Sequence, residues 1–339
     1  MVLFFVASGV QIGIGHVKRC VQLAIDLREQ DKEVLFCLEH DFESIEIIKK
    51  CNLNVSILNE TNSILNVLED NPNIRVVLLD VLNITEKDTR KIKESNSNVK
   101  ILALDYFDML DSNVDTIINL YNHNKKYSKP VNPDVKYLEG PKYGVLRNEF
   151  QPLLLKRSFS KRELRKILIT FGGSDPKKYT LSILPVLDEI FNNLSINLSI
   201  VIGPNFVHAS QISEVVKDLK SVYELIHNPS DMAKLMVDTD LCICGSGTTI
   251  LELSALGVPA IVIPQSLEEL RFSSLFETAG FATIVGTPGS IDRVKLKYSL
   301  MDYYTNPEKL VTMGLAGIQL CDGKGKDRIA REVLTLLNK

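Results

Sequence analysis

Short apolar runs separated by stretches of helical period set the rhythm of this chain. Residues 3–7, 34–38, 55–58, 75–80, 99–104 and 116–118 are brief and rich in Val, Ile and Leu, as strands buried on both faces of a parallel sheet should be. Between them 44–50 and 86–95 are patterned as helices, and after the first run Val17, Val21, Ala24 and Leu27 share one helical face. This alternation predicts a doubly wound α/β domain. From residue 167 the pattern starts again, with strands expected at 167–171, 197–202, 223–226, 240–244 and 260–264 and helices at 250–256 and 327–337. Ser230, Asp231 and Met232 read as a further helix start. The polar, Pro-bearing stretch 122–133 reads as a surface loop, and the Gly140-Pro141 turn followed by the basic segment 156–166 reads as a domain connector. Two domains are therefore expected, 1–150 and 151–339, with the last helix free to pack back on the first.

Composition narrows the partners. The 339 residues are 45% hydrophobic and 24% charged, with a net charge of −3, so no bulk basicity recommends nucleic acid or an anionic membrane. The apolar start lacks a basic leader and runs straight into glycines, and no run reaches the ~18 apolar residues of a membrane span. The six cysteines, Cys20, Cys37, Cys51, Cys242, Cys244 and Cys321, form no Cys-x-x-Cys pair, and free buried thiols in a reducing cytoplasm are expected. No metal or cofactor is indicated.

Three loops carry candidate chemistry. Gly13, Gly15 and His16 stand between the first strand and its helix, where helix N-termini favour anions and a histidine can act as a general base. The same residues could make only a tight, capped turn. Asn59, Asp80 and Asp105 end later strands, and acids there either cap the next turn or reach a ligand. Gly172, Gly173, Ser174, Asp175 and Pro176 describe either a second anion-receiving helix start or a simple capped turn. Gly245, Ser246, Gly247, Thr248 and Thr249 form the strongest local candidate, a loop of small donors able to approach a diphosphate closely. Glu252 in the following helix could accept from a ribose diol or complement the helix dipole.

These pieces, with Gly-Pro-Lys-Tyr-x-x-Leu-Arg-x-Glu-Phe at 140–150 and Asp-Gly-Lys-Gly-x-x-Arg at 322–328, come in the order found in the UDP-2,4-diacetamido-2,4,6-trideoxy-L-altrose hydrolases of pseudaminic acid biosynthesis, which this sequence resembles. The resemblance implies a GT-B-like α/β fold of two doubly wound Rossmann-like domains facing a cleft, the first holding sugar and catalysis and the second the nucleotide. It implies hydrolysis of a UDP-sugar by water activated at His16, without cofactor or metal. The matched motifs extend a substrate-binding role to Gly13, Gly15, Arg19, Tyr143, Gly173 and Ser174. In the second domain the diphosphate would lie on Gly245, Ser246, Gly247, Thr248 and Thr249, the ribose on Glu252 and the uracil near Ile226 and His227. The chain departs from the family in two places: its sugar-site tyrosine is Leu82 here, and its Asn-Gln pair falls on Glu268 and Glu269. Carboxylates accept hydrogen bonds and repel phosphate, so a neutral or amino-bearing sugar is expected, with at least one of these acids toward it. A GT-B glycosyltransferase and a noncatalytic nucleotide-sugar binding protein stay open as alternatives.

Overall fold

The computed structural model describes residues 1–9, 14–59, 63–81, 84–105, 111–120, 132–154 and 163–338. The chain divides into two compact units, Met1–Arg147 with Lys324–Lys339, and Asn148–Gly323.

In the first unit the order is β1 (Val2–Val6), α1 (Gly15–Glu29), β2 (Val34–Glu39), α2 (Phe42–Lys50), β3 (Asn54–Leu58), α3 (Ile64–Asp70), β4 (Val76–Asp80), α4 (Glu86–Ser95), β5 (Lys100–Leu104), β6 (Thr116–Asn119) and β7 (Lys136–Glu139). All seven strands are parallel, in the order β3-β2-β1-β4-β5-β6-β7. The apolar runs foretold six of these strands to within a residue or two. β7 was not foreseen, because its Lys-Tyr-Leu-Glu sequence on the sheet edge lacks an apolar run. Side chains alternate between two cores: Phe4, Val6 and Leu78 with α1 on one face, Leu3, Val77 and Leu79 with α3 and α4 on the other.

The second unit runs α5 (Gln151–Leu154), β8 (Lys166–Thr170), α6 (Tyr179–Phe191), β9 (Asn197–Ile202), α7 (Ala209–Lys217), β10 (Tyr223–His227), α8 (Met232–Val237), β11 (Leu241–Cys244), α9 (Thr248–Leu256), β12 (Ala260–Val262), α10 (Leu267–Thr278) and β13 (Ala282–Ile284). A small hairpin, β14 (Gly286–Thr287) and β15 (Ser290–Ile291), then leads into α11 (Arg293–Thr305) and α12 (Glu308–Leu320). Its main sheet is also parallel, in the order β10-β9-β8-β11-β12-β13. As expected, Asp231 caps α8, accepting from the Lys234 amide at 2.9 Å.

The closing helix α13 (Gly325–Leu337) belongs to the first unit. Ile329, Ala330, Val333 and Leu336 enter the core beneath α1, and Lys326 reaches Asp26 at 2.6 Å. Buried Glu332 accepts from Thr116 Oγ1 at 3.0 Å and pairs with Lys136. Approach is close at the helix start, where a methyl on Gly325 would lie 2.1 Å from the Gly144 carbonyl oxygen. Among the described residues no helix is long and apolar enough to cross a membrane.

Candidate functional site

Each sheet has one point where the chain reverses its direction of winding, and ligands of open α/β sheets bind at the carboxyl edge there. In the first sheet it lies between β1 and β4. His16 is the second residue of α1, which no side chain of the described residues caps. Asp80, the last residue of β4, is 1% exposed, and its Oδ1 lies 2.6 Å from His16 Nδ1. Arg19, one turn along α1, donates from Nε to Asp80 Oδ2 at 2.6 Å, from Nη2 to Asp80 Oδ1, and from Nη1 to Asp105 Oδ2 at 2.8 Å. Cys20 Sγ donates to Asp80 Oδ2 at 3.3 Å. Asp105 follows β5 in a left-handed conformation (φ 51°), and its Oδ1 accepts from the Leu120 amide at 3.1 Å.

Burial opposes charge on Asp80, yet the Arg19 guanidinium and the hydrogen bonds from Arg19 and His16 win and hold its carboxyl well below the usual range. Burial likewise opposes the charge on Arg19, and Asp80 and Asp105 more than restore it. Burial, and then Asp80, push the Cys20 thiol up, so this cysteine is a donor and not a nucleophile. An ionised Asp80 can only accept, so Nδ1 of His16 is the donor of this pair, and in the neutral imidazole Nε2 is then the acceptor that a general base uses.

The sequence marks Asp80 and Asp105 as strand-ending acids but cannot pair them with His16 and Arg19. Arg19, matched above to a substrate-binding motif, spends Nε and both Nη atoms on carboxylates, which makes it a clamp on the acids. Gly15 opens α1 at the surface. Tyr143 is 8% exposed and packs in the core with Ile329 and Val333, since the turn at 140–143 serves as a seat for α13. Gly13 and Leu82 lie outside the described residues.

In the second sheet the reversal lies between β8 and β11, which makes the loops after β8, β11 and β12 neighbours. After β11, Gly247 (φ 75°) hands the chain to α9, and no side chain of the described residues caps that helix, so the amides of its first turn, from Thr248 and Thr249 onward, are free to meet an anion. Ser246 Oγ and Gln265 Oε1 are buried here without a hydrogen-bond partner among the described residues, which in native proteins calls for a partner. The Ser246 amide is taken, donating to Glu269 Oε2 at 3.2 Å, and the same oxygen accepts from the Gln265 amide at 2.8 Å. Of the two adjacent acids only Glu269 lies against the loop. Glu268 is exposed, its carboxyl held low by its own backbone amide and Ser266. Glu252 is the fifth residue of α9 and buried, beyond the first turn where an acid would complement the dipole.

The loop after β8, read above as either an anion-receiving helix start or a capped turn, carries its own cap. α6 begins only at Tyr179, and Asp175 turns inward (φ 44°) to accept from the Tyr179 and Thr180 amides, both at 2.9 Å. The chain's own carboxylate fills the place an incoming anion would take. Gly173 and Ser174 remain at the surface of this turn, braced by the Asn205 amide on the Gly173 carbonyl at 2.8 Å. Buried His208, which the sequence did not single out, sets Nε2 3.4 Å from Asp175 Oδ2. Ile226 and His227 end the edge strand β10, three strands and so about 14 Å from β11.

Residues 167–271 match the model of the glycosyltransferase family 28 C-terminal domain. An uncharacterized Methanocaldococcus jannaschii protein, MJ1062, is 34% identical over 277 residues, covering 76% of this chain and 54% of that protein. The Bacillus subtilis spore coat polysaccharide biosynthesis protein SpsG is 26% identical, covering 96% and 95%. A Helicobacter pylori protein named as pseudaminic acid cytidylyltransferase and UDP-2,4-diacetamido-2,4,6-trideoxy-beta-L-altropyranose hydrolase is 22% identical, covering 79% and 45%. The chain thus spans about half the length of the first and third, and nearly all of SpsG. Among solved structures, Acinetobacter baumannii MurG superposes with a TM-score of 0.73 at 14% identity, covering 98% of this chain and 99% of that one. The forosaminyltransferase SpnP does so with a TM-score of 0.64 at 14% identity, covering 100% and 99%. Anabaena HepE in complex with UDP gives 0.62 at 12% identity, covering 98% and 99%. Two parallel Rossmann-like sheets and these superpositions over the whole chain make this an α/β protein of the GT-B fold, whose second unit carries a segment similar to the C-terminal domain of glycosyltransferase family 28.

Proposed function

We propose that the protein is a nucleotide-sugar glycosyltransferase. His16 Nε2 takes the proton of an acceptor hydroxyl, whose oxygen bonds the anomeric carbon as the bond to the diphosphate breaks and the nucleoside diphosphate leaves with the electron pair. The observation that carries this reading is the His16–Asp80 pair at the reversal of the first sheet. A buried, ionised acid behind a histidine sets its tautomer and supports the positive charge the base acquires. For the nucleotide, support comes from the uncapped start of α9 and the unpartnered Ser246 hydroxyl, which lie within the segment similar to family 28. In this reading Gly245, Ser246, Gly247, Thr248 and Thr249 hold a UDP diphosphate, Glu252 the ribose, and Ile226 and His227 the base. Gly173 and Ser174 border the diphosphate, Gly15 lies beside His16, and amide dipoles stabilise the leaving diphosphate.

A second reading, hydrolysis with water in place of the acceptor, is favoured by the hydrolase activity named for the Helicobacter relative and by the motifs shared with that family. Its substrate would be an amino or acetamido deoxy sugar on UDP, as in nonulosonic acid biosynthesis. Incubation with a panel of UDP-sugars, with and without glycan or lipid acceptors, separates the two: UDP release that depends on acceptor means transfer, and release without one means hydrolysis. His16→Asn is expected to lower turnover about 100- to 10,000-fold with UDP affinity, read by calorimetry, unchanged. Equal loss of both would make His16 scaffold, and no turnover by the parent protein with measurable UDP binding would leave a binding protein.

A further inference from the structure

The first unit holds a cavity of about 420 Å³ on the face of the sheet opposite α1, at its carboxyl edge. Phe5, Val81, Leu65, Ile84 and Ile92 line it with apolar surface, beside the charged Glu39, Asp88 and Lys91. Phe5, Val81, Leu65 and Ile84 pack against the core below and yet stay partly exposed. Apolar surface left open in a concavity favours a ligand that removes it from water. The cavity also adjoins the His16 centre. Val6 pairs with Asp80 in the β1–β4 ladder, the Ala7 amide donates to the Asp80 carbonyl at 2.8 Å, and both Val6 and Ala7 line the cavity. Asp80 turns its carboxylate to His16 on one face, and Val81, the next residue, turns to the cavity on the other.

We propose that this cavity binds the apolar part of the alcohol whose hydroxyl His16 deprotonates, so that the second substrate is an amphipathic alcohol with a compact apolar group. The proposal rests on the transferase reading above. Neighbourhood selects this occupant: a ligand anchored here must cross only the end of β1 and β4 to bring a hydroxyl to His16. Size sets its class. The volume is at the low end of the ~300–1,000 Å³ of small-molecule pockets, enough for a ring or a short chain and too little for a long lipid tail.

Calorimetry with hexyl β-D-glucoside below its micelle concentration, and with glucose as the probe lacking the tail, tests this on the full-length protein. The parent should prefer the tailed probe by about 10-fold or more, well within what burying a hexyl chain can supply. Leu65→Trp should abolish that preference, and Ile84→Phe, at a second apolar lining position, should weaken it. Urea titration identifies a variant that fails to fold, and the other then decides. Equal binding of the two probes by the parent, or a preference that survives both substitutions, overturns the proposal. UDP titration and turnover are read separately. If UDP binds but the tail is not recognised, the cavity assignment alone falls, and if the tail is recognised but no UDP-sugar is turned over, the transferase reading falls and takes the acceptor role with it, leaving only an apolar binding site.

Discussion

Replacing Asp80 by Asn removes one charge at the point where the first unit joins stability to chemistry. Asp80 receives four donors, His16 Nδ1, Arg19 Nε and Nη2, and Cys20 Sγ. Asn keeps one oxygen and turns an NH₂ group on partners that are themselves donors. Removing one member of a buried ion pair costs about 3–5 kcal/mol. The lower end applies here, because Arg19 keeps Asp105 at 2.8 Å. That is about a third of the stability of an ordinary domain, so the variant should fold with a lower urea midpoint. The amide also favours the other imidazole tautomer, with the proton on Nε2 and the base lost, so turnover should fall about 100- to 10,000-fold while UDP affinity holds. The pH dependence has a definite sign. Asp80 is held well below the usual carboxylate range in the folded protein, so its stabilisation is complete above the unfolded value of about 3.9. It is lost as pH falls through the lower folded value. The stability gap between parent and Asp80→Asn should therefore be constant near neutrality and close in strong acid. Full turnover in the variant, parallel loss of UDP affinity and rate, or a gap that widens in acid would refute the reasoning.

Three other perturbations probe the second unit. Glu269→Gln keeps an acceptor for the Ser246 and Gln265 amides but removes a charge beside the small-residue loop, and UDP affinity should rise several-fold, from about 1 kcal/mol of relieved repulsion. Unchanged affinity would place the phosphates elsewhere. Asp175→Ala takes the cap from α6 and leaves buried His208 without its partner, which should lower stability by about 1–3 kcal/mol in urea titration. Gly314→Ala would set a methyl 2.4 Å from the Gly257 carbonyl oxygen where α12 meets α9, and this overpacking should cost about 1–3 kcal/mol, so a midpoint equal to the parent's would show that the helices part freely.

Local information was enough for most of the sheet strands and the fold class. Apolar runs such as 75–80 and 99–104 could hardly be anything but strands covered on both faces, because each is too short for a helix and has no polar side. Glycines mark the loops, and their motifs pointed to a GT-B nucleotide-sugar protein, the coarse part of the reading that the similarity to family 28 and the solved structures supports. The choice of hydrolysis over transfer went beyond that, since both chemistries need the same histidine. Only the tertiary structure decided which polar groups meet. His16 and Asp80 lie 64 residues apart, and Arg19 and Asp105 86 apart, and they converge because β4 and β5 follow β1 across the sheet, an order the strand sequence does not reveal. Glu269 reaches Ser246 because β12 lies beside β11. Gly172 and Gly173 read equally as an anion-receiving turn or a capped one, and only the left-handed turn at Asp175, which brings its carboxylate to the start of α6, decides for the cap. Patterning reports which residues leave water, a property each residue largely carries alone, whereas a site is a set of distances between residues remote in the chain.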